Sequence, residues 1–371
     1  MIRRRYRILG IALAVVAVLF AAGAFAVSYN SPCGAVEPAP AGIVRMKAVI
    51  QRCYGSPEVL RIEEVAKPVP AEDEVLVRVR AASVNPADWH GLTGTPYAAV
   101  RPSTGLRAPG NIRFGTDYAG VVEAIGSDVT TFKPGDEVFG ARSGSMAEYV
   151  EARADRSIVL KPENITFEQA AAIPIAAITA LQGLRDKGQI RPGQKVLING
   201  ASGGVGTFAV QIAKAFGADV TGVCSTRNVE LVRSLGADQT IDYTKENFTE
   251  GTERYDLILD NVGNHSVLAT RRALKPDGRL VLVSGPKSDP WIGPLWRVAE
   301  LFLVSPFVSN EMTFFVAQLN PADLEVLAEL VRERKVTPVI DRRYSFDDAA
   351  AAMAYLGEGH ARAKVVVTVP W

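Results

Sequence analysis

The sequence predicts an α/β protein of two domains, a β-rich domain followed by a doubly wound domain with a parallel sheet. Three observations predict this class. The length of 371 residues exceeds what one ordinary hydrophobic core serves. Short alternating strands separated by turns begin at Met46, which is typical of a largely antiparallel domain. From Gln194 onward, apolar strands alternate with helices, as in a parallel sheet that is covered on both faces.

The first thirty residues form a separate element ahead of these domains. Four arginines lie near the start, Arg3, Arg4, Arg5 and Arg7. The next twenty residues, 8–27, carry no charge and are long enough as a helix to cross about 30 Å of hydrocarbon. Two interpretations stay open here, a retained membrane anchor or a signal peptide that is cleaved near the Ala-Phe-Ala sequence at 24–26 and leaves a secreted protein. The Pro-, Ala- and Gly-rich residues 31–45 are predicted to be a linker.

The elements of the two domains follow in order. Residues 46–173 are assigned to the β-rich domain, with the strands MKAVIQ, EVLVRVRAASV, AGVVEAIG and DEVFG. Residues 174–312 are assigned to the doubly wound domain, with the buried strands KVLI, ADVTGVC, QTI, DLILD and RLVLVSG. Residues 313–371 supply an amphipathic helix and a last strand, KVVVTV, which is predicted to return to the first domain.

Composition excludes several classes of function. The formal net charge is +1, and no dense run of Lys and Arg follows residue 10, so nucleic acid is excluded as a partner. The three cysteines, Cys33, Cys53 and Cys224, are far apart and belong to no Cys-x-x-Cys or Cys/His spacing. They therefore predict neither a disulfide framework nor a metal site.

The sequence NGASGGVG after the strand KVLI predicts a nucleotide site. Its four glycines are Gly200, Gly203, Gly204 and Gly206, between a strand and a helix. Glycines allow the tight turn and a close approach of the backbone to a pyrophosphate, while the free N–H groups of the helix start face the phosphates.

The end of the next strand predicts which dinucleotide binds. An NAD site usually carries Asp or Glu about 20 residues after the glycine loop, bound to the ribose 2′-hydroxyl. Here the strand ends in Cys224, Ser225, Thr226 and Arg227, which offer hydroxyl groups and a guanidinium instead. This set favours a 2′-phosphate, so the predicted coenzyme is NADPH.

The order of these motifs resembles one known family. The β-rich domain is followed by AAIPIAAITAL, NGASGGVG, STRN, LGAD, DNVG and a returning C-terminal segment. This order is similar to that of the medium-chain dehydrogenase/reductase superfamily, in its zinc-independent branch of quinone oxidoreductases and alkenal reductases. The resemblance covers about residues 46–369. It implies a GroES-like catalytic domain, a Rossmann coenzyme domain and possible homodimers through an edge strand near residues 312–316.

The resemblance also bears on metal. Zinc alcohol dehydrogenases of this superfamily hold a catalytic ion with Cys, a His of a Gly-His-Glu motif and a further ligand. This chain has Asn85 where the first ligand would stand and Asp117 where the motif would place its third residue. No metal ligand is therefore predicted. Without a Lewis acid, alcohol oxidation is disfavoured, whereas hydride transfer to a conjugated enone, an alkenal or a quinone is feasible.

The resemblance implies the following site residues. Asn85 is expected to donate to the acceptor carbonyl, Thr179 to lie beside the nicotinamide, and Tyr97 to orient or protonate the enolate. Asp88 and Asp117 are expected to be structural acids. The coenzyme residues are expected to be Gly200, Ser202, Gly203, Gly204, Val205, Gly206, Ser225, Thr226, Arg227, Tyr243, Asn261, Val262, Ser284 and Gly285.

Two functional interpretations follow from the sequence. The first is an NADPH-dependent reductase of enones, alkenals or quinones, associated with a membrane. The second is a membrane-tethered NADP(H)-binding scaffold or redox sensor without turnover. The side of the membrane stays open, because the N-terminal arginines favour an exported chain whereas NADPH is a cytosolic coenzyme.

Overall fold

The computed structural model describes residue 18 and residues 22–35, 42–285 and 289–370. Its strands are β1 (Arg45–Ile50), β2 (Arg61–Ala66), β3 (Glu74–Val84), β4 (Asp117–Ile125), β5 (Glu137–Ala141), β6 (Tyr149–Arg153), β7 (Ile158–Leu160), β8 (Lys195–Asn199), β9 (Asp219–Cys224), β10 (Gln239–Asp242), β11 (Tyr255–Asp260), β12 (Leu274–Leu282), β13 (Glu311–Phe314), β14 (Ile340–Ser345) and β15 (Lys364–Thr368). Its α-helices are α1 (Pro86–Thr93), α2 (Tyr97–Thr104), α3 (Phe167–Ala171), α4 (Pro174–Gln182), α5 (Gly204–Ala215), α6 (Val229–Ser234), α7 (Val267–Arg271), α8 (Leu295–Val304), α9 (Pro321–Arg332) and α10 (Ala349–Gly357). Helical turns of other types lie at Pro57–Val59, Gly183–Lys187, Thr226–Asn228, Ser305–Phe307 and Phe346–Asp348.

The first domain is built on a seven-stranded sheet with the order β14-β15-β3-β4-β5-β7, in which β6 also pairs with β3. All of its pairings are antiparallel except that of β14 with β15. A separate antiparallel pair, β1 with β2, completes the β structure of this domain. The last strand of the chain, β15, pairs with β3 and places Val365 opposite Val84. The C-terminal segment therefore becomes part of the first domain.

The second domain has a six-stranded sheet with the order β10-β9-β8-β11-β12-β13, and every pairing in it is parallel. Its central strands are buried throughout; Leu197 and Ile258, for example, have no exposed surface. Helices α5 and α4 belong to the same apolar cluster as these strands. The doubly wound parallel sheet beside a β-rich domain confirms the predicted fold class.

The two domains meet through the start of β15 and the glycine loop. The amide of Ala363 donates to the carbonyl of Ser202 over 2.8 Å, and Gly203 forms a bridge with Ala363. On the other side of the junction, the amide of Ile175 at the start of α4 donates to Asp117 of β4 over 3.2 Å. These contacts join the carboxyl end of the parallel sheet to the first domain.

The segment at residues 22–35 packs on the first domain. Residues 22–28 are helical. Cys33 forms a disulfide with Cys53, with a Cα–Cα distance of 4.7 Å. The cysteine spacing implied no disulfide framework and so did not predict this bond, since spacing along the chain does not report that residue 33 folds back onto residue 53.

The buried guanidinium of Arg101 in α2 also holds this segment. It donates to the carbonyls of Val27, over 2.6 Å, and Tyr29, over 3.0 Å, and to the side chain of Asn30. Most of the predicted membrane segment, residues 8–27, lies outside the described residues. Within the described part of the chain, no helix has both the length and the apolar character needed to cross a bilayer.

Candidate active site

A cleft between the two domains contains most of the predicted site residues. One wall is the carboxyl edge of the parallel sheet, and the other is formed by the ends of β3 and β15 with the segment before β15. Its lining includes Asn85, Ile175, Asn199, Gly200, Ser202, Gly203, Gly204, Val205, Gly206, Cys224, Ser225, Arg227, Asn228, Tyr243, Asn261, Val262, Asn264, His360, Ala363 and Lys364.

The glycine loop forms the centre of the sheet wall. Gly200 has φ +77, a left-handed conformation that favours glycine. A Cβ atom on Gly206 would overlap the carbonyl oxygen of Gly200, so the loop and the first turn of α5 touch without side chains between them. Because α5 begins at Gly204, its free N–H groups face the cleft. This geometry fits a pyrophosphate.

The end of β9 forms the part of the cleft predicted to select the coenzyme. Cys224 is buried, and burial raises the pKa of its thiol to about 11, so this position carries no negative charge. The guanidinium of Arg227 donates to the carbonyl of His360 over 2.8 Å and retains further donors. Thr226 donates to Asp242 over 2.5 Å, a bond that holds the pKa of that carboxyl well below its ordinary value. The carboxylate of Asp242 accepts hydrogen bonds from neighbouring hydroxyl groups and pairs with Lys245. The region therefore fits a phosphate at Ser225 and Arg227.

Two acceptor atoms of this wall have no hydrogen-bond partner among the residues that the structure describes. They are the side-chain oxygens of Asn228, which is 5% exposed, and of Asn261. The amide nitrogen of Asn228 donates to Ser202 and Ser225, which orients it between the glycine loop and the end of β9. Buried acceptors without partners are rare, and a coenzyme hydroxyl would satisfy them. Sequence reasoning gave Asn228 no role in the site, although it is the last residue of the STRN motif.

Five predicted residues lie outside the cleft lining. Thr179 donates to the carbonyl of Ile175 over 2.7 Å, one helical turn behind the lining. Tyr97 begins α2 and packs edge-on against Trp291, with 5.1 Å between the ring centroids. Thr226, Ser284 and Gly285 are likewise absent from the lining. The roles of these five residues stay predictions.

The opposite wall contains a buried cluster of charges. Asn85 caps α1, and its backbone amide donates to Asp88 over 2.8 Å. The side-chain nitrogen of Asn85 donates to Asp117 over 2.9 Å, and its side-chain oxygen accepts from Lys364 over 2.5 Å. Lys364 also lies 3.5 Å from Asp117. We refer to Asn85, Asp88, Asp117 and Lys364 as the acceptor-wall cluster.

Burial dominates the electrostatics of this cluster. It raises the pKa of Asp88 to about 6, although Thr116 donates to that carboxyl. Burial also raises the pKa of Asp117, against the opposing effect of the nearby Lys364 ammonium. Burial lowers the pKa of Lys364, against the opposing effects of Asp117 and Asp88. The Lys364 ammonium therefore interacts electrostatically with two buried carboxyl groups, those of Asp88 and Asp117.

The donor set of this wall does not fit a catalytic zinc ion. Where zinc dehydrogenases carry their first ligand and the His and Glu of their motif, this chain has the amide of Asn85, then Thr116 and Asp117, and the ammonium of Lys364 lies against Asn85 and Asp117. A cation bound there would be repelled by that ammonium, and soft Cys or His ligands are absent from the cluster. In the described part of the chain, no group of three or more His, Cys, Asp and Glu residues can hold a metal ion.

Comparison with known proteins gives two matching family models. Residues 71–163 match the alcohol dehydrogenase GroES-like domain, and residues 235–367 match the model described as zinc-binding dehydrogenase. The chain is 36% identical to the 2-methylene-furan-3-one reductase of Solanum lycopersicum, over 92% of this chain and 84% of that protein. It is 35% identical to the chloroplastic NADPH-dependent alkenal/one oxidoreductase of Arabidopsis thaliana, over 87% of this chain and 79% of that protein.

A solved structure shows the same architecture. The quinone oxidoreductase of Coxiella burnetii superposes with a TM-score of 0.77 and 31% identity, covering 88% of this chain and all of that protein. The match extends over both domains and the cleft between them.

Proposed function

The chain belongs to the medium-chain dehydrogenase/reductase superfamily, among its quinone oxidoreductases and alkenal reductases, and from this membership we propose that it is an NADPH-dependent reductase. Its acceptors are the activated C=C bond of an enone or alkenal, or a quinone. The observation that supports this most directly is that the glycine loop and Asn85 line one cleft.

One wall of the cleft binds the coenzyme in this reaction, and the opposite wall binds the acceptor. Bound NADPH supplies a hydride. The glycine loop and the start of α5 hold its pyrophosphate, Arg227 and Ser225 hold its 2′-phosphate, and Asn228 and Asn261 accept from its hydroxyl groups. On the opposite wall, the amide nitrogen of Asn85 uses one hydrogen for Asp117 and has a second to donate to the acceptor carbonyl. That hydrogen bond stabilises the negative charge that develops on the oxygen as the hydride arrives.

Four further site residues remain part of the proposal. Thr179 supports Ile175 in the cleft lining, and Tyr97 positions the loop around Trp291 through its backbone and its ring. Ser284 and Gly285 close the carboxyl edge of the sheet after β12. Each acts on the bound molecules through the segment it packs against.

The test uses the full chain with NADPH and a panel of alkenals, enones and quinones. Loss of absorbance at 340 nm with at least one acceptor, with a kcat/KM for NADPH above that for NADH, is the expected result. Tight NADPH binding without turnover of any acceptor would instead support the scaffold interpretation. Binding of neither coenzyme would contradict both.

We also propose that the protein is attached to a membrane through its N-terminal segment. The uncharged residues 8–27 and the basic cluster before them support this attachment. Fractionation of cells should place the full chain with membranes, and a protease-protection assay on intact cells reports the side. Recovery of the intact chain in the soluble fraction would contradict the attachment.

A homodimer is the remaining part of the proposal. Strand β13 is an edge of the parallel sheet, and the nearby Val316 is 76% exposed. Such an edge has unpaired N–H and C=O groups that a second copy can pair. Light scattering of the detergent-solubilised protein should give a mass of two chains. The variant Met312→Pro, on the edge strand, should give the mass of one chain.

A further inference from the structure

Lys364 is the first residue of β15 and one of the most buried lysines of the structure, with 2% of its surface exposed. Its ammonium lies 2.5 Å from the side-chain oxygen of Asn85 and 3.4 Å from the carbonyl of Val84. It lies 3.5 Å from a carboxylate oxygen of Asp117. A buried ammonium costs several kcal/mol in desolvation unless its partners compensate, so these three contacts define a built site.

The partners of Lys364 fix the orientation of the Asn85 side chain. An amide can rotate by half a turn and exchange its oxygen and nitrogen, because the two ends are similar in size. Here the Asn85 oxygen faces the Lys364 ammonium, which can only donate, and the Asn85 nitrogen faces the Asp117 carboxylate, which accepts. The exchanged orientation would set the amide N–H groups against the ammonium and the amide oxygen against the carboxylate. Both contacts would be repulsive.

The carboxylate is itself held in place. Asp117 accepts from Ser83 over 3.1 Å and from the backbone of Ile175 over 3.2 Å, in addition to Asn85 and Lys364. Because four donors converge on it, its position does not depend on Lys364 alone. Removal of the ammonium would therefore free the oxygen of Asn85 while leaving Asp117 fixed.

Lys364 also connects this wall to the glycine loop. The preceding residue, Ala363, donates to the carbonyl of Ser202, and the stem of Lys364 passes Gly204 so closely that its Cδ would lie 3.3 Å from a Cβ there. The side chain thus reaches from the segment that faces the coenzyme to the amide that faces the acceptor.

From these contacts we propose that Lys364 is a positioning residue for the acceptor. It keeps the Asn85 nitrogen, not its oxygen, available to the acceptor carbonyl, and its ammonium lies against Asn85, which stands where zinc dehydrogenases carry their first ligand. This inference rests on the proposed function. Lys364 does not contact the acceptor carbonyl itself, since its ammonium donates to Val84, Asn85 and Asp117 within the protein.

The test compares three variants with the wild-type full chain. Lys364→Met removes the ammonium. Lys364→Met/Asp117→Asn removes the charge imbalance as well. Lys161→Met is the matched control, because Lys161 is another buried lysine, with 4% of its side chain exposed, paired with Glu137 over 3.0 Å and remote from the cleft lining.

We expect Lys364→Met to lower kcat for enones at least about tenfold with less than about a threefold change in the Kd of NADPH. Lys161→Met should lower Tm and leave kcat unchanged. The double variant should regain Tm but not kcat, since the amide of Asn85 still lacks its cation. Recovery of kcat in the double variant would overturn the proposal, because Lys364 would then serve only to neutralise Asp117. Parallel losses of kcat and NADPH affinity would also overturn it.

A readout without turnover separates this inference from the proposed function. With [¹⁵N]asparagine labelling, the side-chain amide signal of Asn85, assigned through Asn85→Ser, should shift in Lys364→Met and in the double variant but not in Lys161→Met. An unchanged Asn85 signal would overturn the positioning role even if the enzyme is active. Shifted signals in a protein that turns over no acceptor would contradict the proposed function and still support the dependence of the Asn85 amide on Lys364.

Discussion

The two walls of the cleft are built on different physical principles. Around the glycine loop, the sheet wall presents backbone N–H groups, small residues and neutral side chains. The acceptor wall contains two carboxyl groups and an ammonium that are all buried. Binding at the sheet wall should be sensitive to any added side-chain atom, because backbone, unlike a side chain, cannot move aside. The acceptor wall should be sensitive to protonation, because the pKa of each buried group depends on the charge state of the others.

The largest effect should come from a change of shape in the sheet wall. Gly206→Ala adds a Cβ that overlaps the carbonyl oxygen of Gly200, and only movement of the loop can relieve the overlap. We expect the Kd for NADPH to rise at least about 1,000-fold, or about 4 kcal/mol. Isothermal titration calorimetry measures it. Gly251→Ala, at an exposed turn where a Cβ meets nothing closer than 3.7 Å, is the control. A Kd within tenfold of wild type for Gly206→Ala would contradict the shape argument.

A change of protonation in the acceptor wall should have the next largest effect. The pKa of Asp88 is raised from 3.8 to about 6. Below pH 3.8 the carboxyl is protonated in both the folded and the unfolded chain. Between pH 3.8 and about pH 6, the folded chain keeps the Asp88 proton that the unfolded chain releases. The stability that this proton binding contributes is therefore present at low pH and is lost as the pH rises through about 6.

The variant Asp88→Asn removes this dependence. A shift of about two pH units corresponds to at most about 3 kcal/mol. Relative to Asp88→Asn, the wild type should therefore lose up to that free energy of unfolding between pH 4 and pH 7, measured by urea titration at each pH. Asp128→Asn, at an exposed aspartate, should follow the wild type. Parallel pH profiles for wild type and Asp88→Asn would show that Asp88 carries no excess proton in the folded chain.

The smallest effect should come from Arg227, a cation at the edge of the sheet wall. Arg227→Ala removes a guanidinium that lines the cleft and bonds to His360. We expect the Kd for NADPH to rise about tenfold, or about 1.4 kcal/mol, with the Kd for NADH unchanged. Fluorescence titrations with both coenzymes measure the ratio. Arg233→Ala, on an exposed face of α6 and paired with Glu230, is the control. Equal weakening of both coenzymes would place Arg227 away from the 2′-phosphate.

The same contrast explains what the sequence could predict. The sheet wall comes from contiguous segments: the glycine loop follows β8 directly, and Arg227 follows β9 directly. Strand apolarity and glycine spacing therefore predicted the parallel sheet and the position of the loop. The acceptor wall unites Asp117 with Lys364, which are 247 residues apart, and no local pattern reports such a meeting. The only signal was a lysine at the start of the otherwise apolar strand KVVVTV, where a charge is unexpected. The Cys33–Cys53 disulfide was missed for the same reason.

The buried guanidinium of Arg101 has a practical consequence for experiments on this protein. The ring of Tyr97 lies 4.4 Å from that guanidinium, and three acceptors of the guanidinium belong to residues 27–30. A shortened protein that starts at Arg45 would retain every strand from β1 onward, but it would lack those acceptors and the partner of Cys53. Water would then contact the exposed side of α2, and we expect proteases to cleave at that helix before other sites. Rates measured on such a trimmed protein would describe a damaged enzyme, so purification should preserve everything from residue 22 onward.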